Sequence, residues 1–556
     1  MKPTRRLFWF MVAAVAVGAL AGGFYGPRLR ANPAGGDDSD VQANLNNFTK
    51  IYTLVEHEYA DKVDPNKAIY GPDSVGSVVG AIPGMLRTLD PHSNFFDPAA
   101  FARIREEQEG KYYGVGMTIG PRLDHAGKMR TFVERPIPGS PAFKAGLRPA
   151  DIIWKIDGKS TEGLDTTAVA NMLKGPRGTT VHVEVEREGY DQPVDFTIIR
   201  DEIERPTVDS AFMLKSGIAY VHLNGFVETT DDELTDALKR LGQQNYKGLI
   251  LDMRGNPGGL LEEAVEVSDH FLAKDQLIVW HYGRASHEKR YLVTHGNHGN
   301  EYPMVVLIDR MTASAAEIVS GALQDHDRAL IMGEPSFGKG LVQTVFPLSE
   351  HAGLALTTAH YYTPSGRLIQ RDYSDVSLYD YYNRSEEGPA PKSQVRLTDG
   401  GREVYGGGGI TPDVDVPPAK LNDVQQKLVD RGSIYGFAQH YLGVHKSIPH
   451  DFEVTPEVIG EFNTYLADEH VPVTPAEVNE NLDFLKHHIK SELLLWIYGE
   501  DEALKFDRQD DPLVAKAVED MPQAAALIVH AKQFVASREA QQQRDQQSRT
   551  ASAAQK

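Results

Sequence analysis

Residues 303–325, PMVVLIDRMTASAAEIVSGALQD, set the architecture of this chain. Met304 to Ile308 is a short continuous apolar run, so it reads as a strand buried on both faces. A helix is expected from Ala315, and the turn between them ends at Ser314. The same strand-then-helix pattern occurs twice upstream. GIAYVHL (217–223) precedes a helix from about Asp231, and GLILDMR (248–254) precedes one from Leu260. Such alternation predicts an α/β layer with functional groups at the strand-to-helix turns. LVQTVFPL (341–348) and LALTTAHYYT (354–363) are expected as further strands, with closure of this core near Ile410–Asp413.

Between Gly110 and Arg200 the texture changes to short β-branched runs separated by glycines: GVGMTIG (114–120), IIWKIDGKS (152–160) and TTVHVEVEREG (179–189). Asp157-Gly158 is a hairpin signal, and Thr180–Glu186 alternates as a half-buried strand should. This is a mostly β module with one helix near Thr166–Leu173. Towards the N-terminus, Phe48, Ile51, Tyr52, Val55 and Tyr59 recur at helical spacing, and Val75–Leu89 is a second apolar stretch. At the other end, VQQKLVDRG (424–432) and NLDFLKHHIKSELLLWIYG (481–499) predict a helical appendage suited to assembly. AQQQRDQQSRTASAAQK (540–556) is polar, of low complexity and expected to be disordered.

The length of 556 residues suggests three or four domains at roughly 100 to 200 residues each. The expected partition is 1–25 as a signal peptide or membrane anchor, 26–40 as a linker, and 41–101 as a helical region. The β module occupies 102–200, the α/β core 201–416, the helical C-terminal region 417–540 and the tail 541–556. Lys2, Arg5 and Arg6 precede an apolar run from Leu7 towards Tyr25, and Ala19-Leu20-Ala21 resembles a cleavage site. Cleavage and retention both fit that run, and either sends the rest of the chain out of the cytoplasm. A periplasmic or extracytoplasmic location follows, with any membrane contact made only by the N-terminal segment. The net charge of -21 argues against nucleic acid as a partner. No cysteine is present, which excludes disulfide and thiolate chemistry.

Ser314 stands where a side chain projects from a rigid base, a placement that suits a nucleophile. With Glu317 three positions on, it also reads as a capping box. TASAA recurs at Thr550–Ala554, so the string alone does not decide. Downstream, in GEPSFGKGLVQTVF (333–346), Lys339 and Gln343 lie four apart on an expected strand and share one face. Burial would lower the proton affinity of such a lysine, which a base near neutral pH requires. Ser–Lys pairs are a known nucleophile-and-base arrangement, with Gln343 able to orient the amine. The competing reading of Lys339 is a solvated loop lysine between two glycines. In LILDMRGNPGGLLEEAV (249–265) a buried strand ends in glycines before a helix, a place for amides that stabilise an oxyanion. Gly259 and Ala315 are the candidate donors.

The chain resembles the carboxyl-terminal processing, or tail-specific, peptidases of family S41 over about residues 41–415. The resemblance rests on AIPGMLRTLDPHSNFF (81–96), YYGVGM (112–117), PGSPAFKAGLRPADIIWKIDG (138–158), LDMRGNPGGLL (251–261), TASAAEI (312–318) and GEPSFGKGLVQ (333–343), in that order. It implies a ClpP/crotonase-like α/β peptidase core with an inserted PDZ-like β module and helical N- and C-terminal regions. It also implies that Ser314 is the acylating nucleophile, Lys339 the base and Gln343 its orienting partner, with Gly259 and Ala315 as the oxyanion hole. The PDZ loop at Tyr113, Gly114, Val115, Gly116 and Met117 would take a peptide carboxylate, in line with the affinity of consecutive amides for anions. Thr312 stands where many members have serine, and packing rather than chemistry is its expected role.

Two functions follow from the resemblance. One is a serine endopeptidase acting without metal or organic cofactor on proteins or peptides with apolar C-termini. The other is a catalytically silent module that only holds such tails. An activating partner and a homo-oligomer are both compatible with the layout. No G-x-S-x-G elbow or H-E-x-x-H motif is present, and His295 and His298 sit in a Gly/Asn loop that reads as a turn, a solvated loop rather than a metal site.

Overall fold

The computed structural model describes residues 38–58, 63–70, 80–123, 127–187, 189–214, 217–348, 351–374, 376–383 and 393–554. The expected export segment and most of the linker lie outside these residues. Two compact units divide the chain, Met1–Thr88 and Leu89–Lys556. The first holds the helices Asp38–Glu58, Pro65–Tyr70 and Ala81–Arg87. The longest carries Phe48, Ile51, Tyr52 and Val55 at the expected spacing and starts inside the expected tether. Among the described residues no helix is long and apolar enough to cross a membrane.

In the second unit the β module is an antiparallel sheet in the order Met117–Leu123, Met129–Pro136, Ile152–Ile156, Thr180–Glu186, Val194–Ile199. Val181, Val183 and Val185 face its core, while Thr180 and His182 face solvent, the alternation expected of a sheet wet on one side. Asp157 and Gly158 both take positive φ (49° and 75°), as a two-residue hairpin of the primed type requires. The helix Thr166–Leu173 packs beside the edge strand Met117–Leu123.

The α/β core is a six-stranded sheet in the order Ser210–Met213, Ala219–His222, Leu249–Asp252, Met304–Ile308, Leu330–Gly333, Val414–Asp415. Its first pair is antiparallel and the others are parallel. The four strands from Ala219 to Gly333 are buried along their whole length, because helices cover both faces. One face packs on Leu234, Val267 and Leu323. Beside this core a second sheet pairs Asn94–Phe96, Leu277–Tyr282 and Leu341–Pro347 with the long strand Gly353–Tyr362.

The C-terminal region departs from an appendage. Residues 423–506 do form their own helical core around Phe437, Phe462, Leu485 and Ile489. Beyond it, Val514, Ala517, Met521 and Ala524 cover the other face of the central sheet, against Tyr220, Ile250, Val305, Leu307 and Met332. A parallel sheet must be covered on both faces, and these helices supply the second cover. The tail expected to be disordered continues as the helix Met521–Ala554. Its Ala, Gln, Glu and Arg are strong helix formers, and its first turns are anchored on the sheet.

Candidate active site

Parallel pairing of Leu249–Asp252 with Met304–Ile308 brings the loops that follow them side by side at the carboxyl ends of the strands. Gly255 N–H donates to Asp309 Oδ1 (3.0 Å), Thr312 Oγ1 to the Met253 carbonyl (2.9 Å) and Ala313 N–H to the Asn256 carbonyl (2.9 Å). Thr312 is therefore a fully buried brace between the loops, the packing role expected of it. Ser314 follows at φ 54°, a conformation that costs a non-glycine residue free energy and is held by its surroundings. A Cβ placed on Gly258 would lie 2.8 Å from Ser314 Cβ and 2.9 Å from Ala315 N, so the two turns are in van der Waals contact.

Glu317, one turn into the helix, is fully buried and accepts four hydrogen bonds. They come from Ser314 N–H (2.8 Å), Lys339 N–H (2.9 Å), Gly338 N–H (2.7 Å) and Ser336 Oγ (2.5 Å). Burial pushes its carboxyl up from the ordinary range, and the four donors pull against that. Tyr361, in the long strand of the second sheet, directs its buried hydroxyl at two carbonyls, Lys339 (2.5 Å) and Ser314 (3.1 Å). Ser314 and Lys339 are thus tied to the same carboxylate and the same hydroxyl.

Lys339 does not lie on a strand. The strand begins at Leu341, and a bulge between Val342 and Gln343 breaks the alternation, so the expected shared face is lost. Gln343 Nε2 instead contacts Thr357 Oγ1 (3.4 Å). Among the described residues no hydrogen bond or ion pair engages the Lys339 ammonium. Burial lowers its pKa, with the charges of Glu317 and Asp90 opposing.

Residues with no role read from the sequence complete the surroundings. Asp90 accepts from the His92 and Ser93 amides and from Ser93 Oγ, and Ser93 Oγ accepts from Thr357 N–H. His92 Nε2 lies 3.0 Å from the Tyr381 hydroxyl. Burial and the positive charge of Lys339 push the His92 imidazole down to about 4, so it is neutral at ordinary pH. Ala313, Phe337 and Tyr381 make a small apolar cluster against the Ser314 turn. The one signal for His92 was the DPHS string between apolar runs; Glu317 read only as a capping partner and Tyr361 only as a strand residue.

Gly259 (φ 148°) bridges to Phe226, whose carbonyl accepts from Leu260 N–H. The Gly259 and Ala315 amides donate to no group among the described residues. Gly259 opens into a cleft of about 1530 Å³ that is also lined by Phe226 and by Val115, Met117, Ile119 and Ala170 of the β module. Val115 and Met117 are themselves largely buried in the module's core. Tyr113 and Gly114 lie on a strand paired with Asp201–Glu204 rather than in a loop, and the Tyr113 hydroxyl turns to Glu202 (3.0 Å). Gly116 (φ 76°) packs on Ser140, where a Cβ would meet Ser140 Cβ at 2.5 Å.

The sequence profile of peptidase family S41 matches residues 217–376, and that of the PDZ domain matches 132–187. The carboxy-terminal-processing protease of Bartonella bacilliformis is 40% identical over 338 residues, covering 60% of this chain and 74% of that protein. Carboxy-terminal processing protease CtpB of Bacillus subtilis is 34% identical over 349 residues, covering 62% and 70%. Among solved structures, photosystem II D1 C-terminal processing protease is 27% identical, covers 67% of this chain and 93% of its own, and superposes with a TM-score of 0.34. The chain therefore belongs to the carboxy-terminal processing proteases, serine peptidases of family S41 that carry a PDZ domain.

Proposed function

We propose that this protease cleaves exported proteins near their apolar C-termini by an acyl-enzyme mechanism in which Ser314 is the nucleophile and Lys339 the general base. The observation that carries this reading is the pair of shared anchors. Glu317 and Tyr361 hold the backbone of both residues in one frame, while Lys339 is half-buried, its ammonium unpaired among the described residues and lowered in pKa by burial. Neutral Lys339 takes the Ser314 proton as the oxygen attacks a peptide carbonyl, and the protonated amine returns it to the leaving nitrogen. The free amides of Gly259 and Ala315 receive the oxyanion. Water then attacks the acyl-enzyme with Lys339 again as base.

The PDZ groove between Met117–Leu123 and Thr166–Leu173 takes the tail, with Val115, Gly116 and Met117 at its head. The shared cleft supports passage of the bound chain from that groove towards Gly259. The basic and apolar N-terminal segment supports export to the periplasm. Cleavage of an unfolded reporter with an apolar C-terminal tail tests the reading, with Ser314→Ala and Lys339→Ala as folded controls. Activity lost in both variants while tail binding persists supports it. Cleavage that survives Lys339→Ala at neutral pH would sink the assignment of the base.

A further inference from the structure

The loop that presents Gly259 is tied to the C-terminal helices, outside the segment matched by the S41 profile. Asp252, fully buried at the end of its strand, accepts from the Tyr220 hydroxyl (2.7 Å) and from Arg254 Nε and Nη2 (2.9 and 2.5 Å). Arg254 Nη2 also pairs with Asp511 Oδ2 at 2.8 Å. Asp511 is the N-cap of the helix Pro512–Glu519, where its Oδ1 accepts from Leu513 and Val514 N–H. Arg508 Nη1 lies 3.3 Å from the same Asp511 carboxylate. Its Nε is buried without a hydrogen-bond partner and sits 4.0 Å from Asp252. Two carboxylates and two guanidiniums therefore share one site, with Asp252 fully buried and the other three half-buried, and their four charges balance.

We infer that Asp511 is a positioning residue for the peptidase reaction: it holds Arg254, and through Arg254 the loop 253–259, against the Ser314 turn. The physical path is continuous. Arg254 begins the loop, the Met253 and Asn256 carbonyls and the Gly255 amide bond to the 309–313 turn, and Gly258 rests on Ser314. Without the Asp511 charge, Asp252 faces two guanidiniums alone. Arg508 Nε, already within 4.0 Å and lacking a partner, then competes with Arg254 for it. Arg254 loses its fixed place, and the Gly259 amide moves with the loop.

This inference rests on the Ser–Lys reading, and its test uses the full chain. Asp511→Asn removes the charge but keeps an N-cap acceptor, so the helix start survives. The expected result is a fall in kcat of about tenfold, within the hundredfold that about 1 Å of misplacement can cost. KM and the affinity of the PDZ domain for a fluorescent apolar tail peptide stay unchanged. Asp511→Glu recovers most of the rate. Adding Arg508→Met to Asp511→Asn recovers at least about threefold, because the competitor is gone and residues in one network couple. An unchanged kcat in Asp511→Asn overturns the proposal. So do equal losses in Asp511→Asn and Asp511→Glu, or no recovery with Arg508→Met, since both are the marks of a merely structural contact. A wild-type chain that cleaves nothing refutes the peptidase reading itself, and this inference falls with it.

Discussion

Replacing Glu317 by Gln keeps the shape of the side chain and tests the shared anchor directly. All four groups that meet the carboxylate are donors: three backbone amides and the Ser336 hydroxyl. A glutamine offers one acceptor oxygen and one NH2. With the oxygen towards Ser314 and Lys339, the Gly338 amide faces a donor, and the Ser336 hydroxyl, whose oxygen already accepts from Ile410 N–H (2.6 Å), must turn its proton away from residue 317. The opposite orientation leaves both the Ser314 and the Lys339 amides unpaired, so the first is preferred. One buried donor without a partner costs about 1 to 3 kcal/mol. The loop carrying Lys339 is thereby loosened, and kcat is expected to fall by between about tenfold and about a hundredfold, the range for displacements up to about 1 Å.

The pH profile supplies the sign. Lys339 acts as a base when neutral, and its pKa is already lowered by burial, so log kcat rises with pH through that lowered value. Glu317 opposes the lowering by its charge. Deleting that charge drops the Lys339 pKa further, and the acidic limb of log kcat moves to lower pH in Glu317→Gln. The assay is reporter cleavage at saturating substrate across pH, for wild type and variant. A limb that stays in place or moves to higher pH would refute an ionised Glu317 beside Lys339.

Three further outcomes are expected. Tyr361→Phe removes the hydroxyl that donates to the Lys339 carbonyl, and steady-state kinetics should show kcat falling about tenfold, corresponding to about 1.4 kcal/mol, at unchanged KM. Gly258→Ala places a methyl 2.7 Å from the Ala313 carbonyl and 2.8 Å from Ser314 Cβ at a φ of 96°, so acylation by a serine-directed phosphonate should slow by at least about tenfold, given backbone strain of about 1 to 3 kcal/mol at such a residue. Ser552→Ala, in the second TASAA string, should leave reporter cleavage at the wild-type rate, and a loss would mean that the terminal helix takes part in the reaction.

Local physics made much of this protein legible. Short continuous apolar runs became the buried strands Leu249–Asp252 and Met304–Ile308, and strict alternation became Thr180–Glu186. Asp157-Gly158 made its hairpin, and the helices starting at Thr230, Leu261 and Ala315 began within a residue of their expected places. The placement of Ser314 at a strand-to-helix turn was local too, because that turn is made by neighbours in the chain.

Contacts between residues far apart in sequence were not legible. Glu317 looked like a helix cap until the Lys339 loop folded onto it, and Tyr361 and His92 gained their places only when distant strands paired beside Lys339. A one-residue bulge moved Gln343 off the face that regular alternation assigned to it. The helices around Asp511 read as an appendage because periodicity shows that a helix has an apolar face but not what covers it. What the sequence by itself determined was the strands and helices of the central α/β layer and of the β module, and the turn bearing Ser314. The tertiary structure decided which side chains surround that turn, since burial and charge depend on groups that only the folded chain brings together.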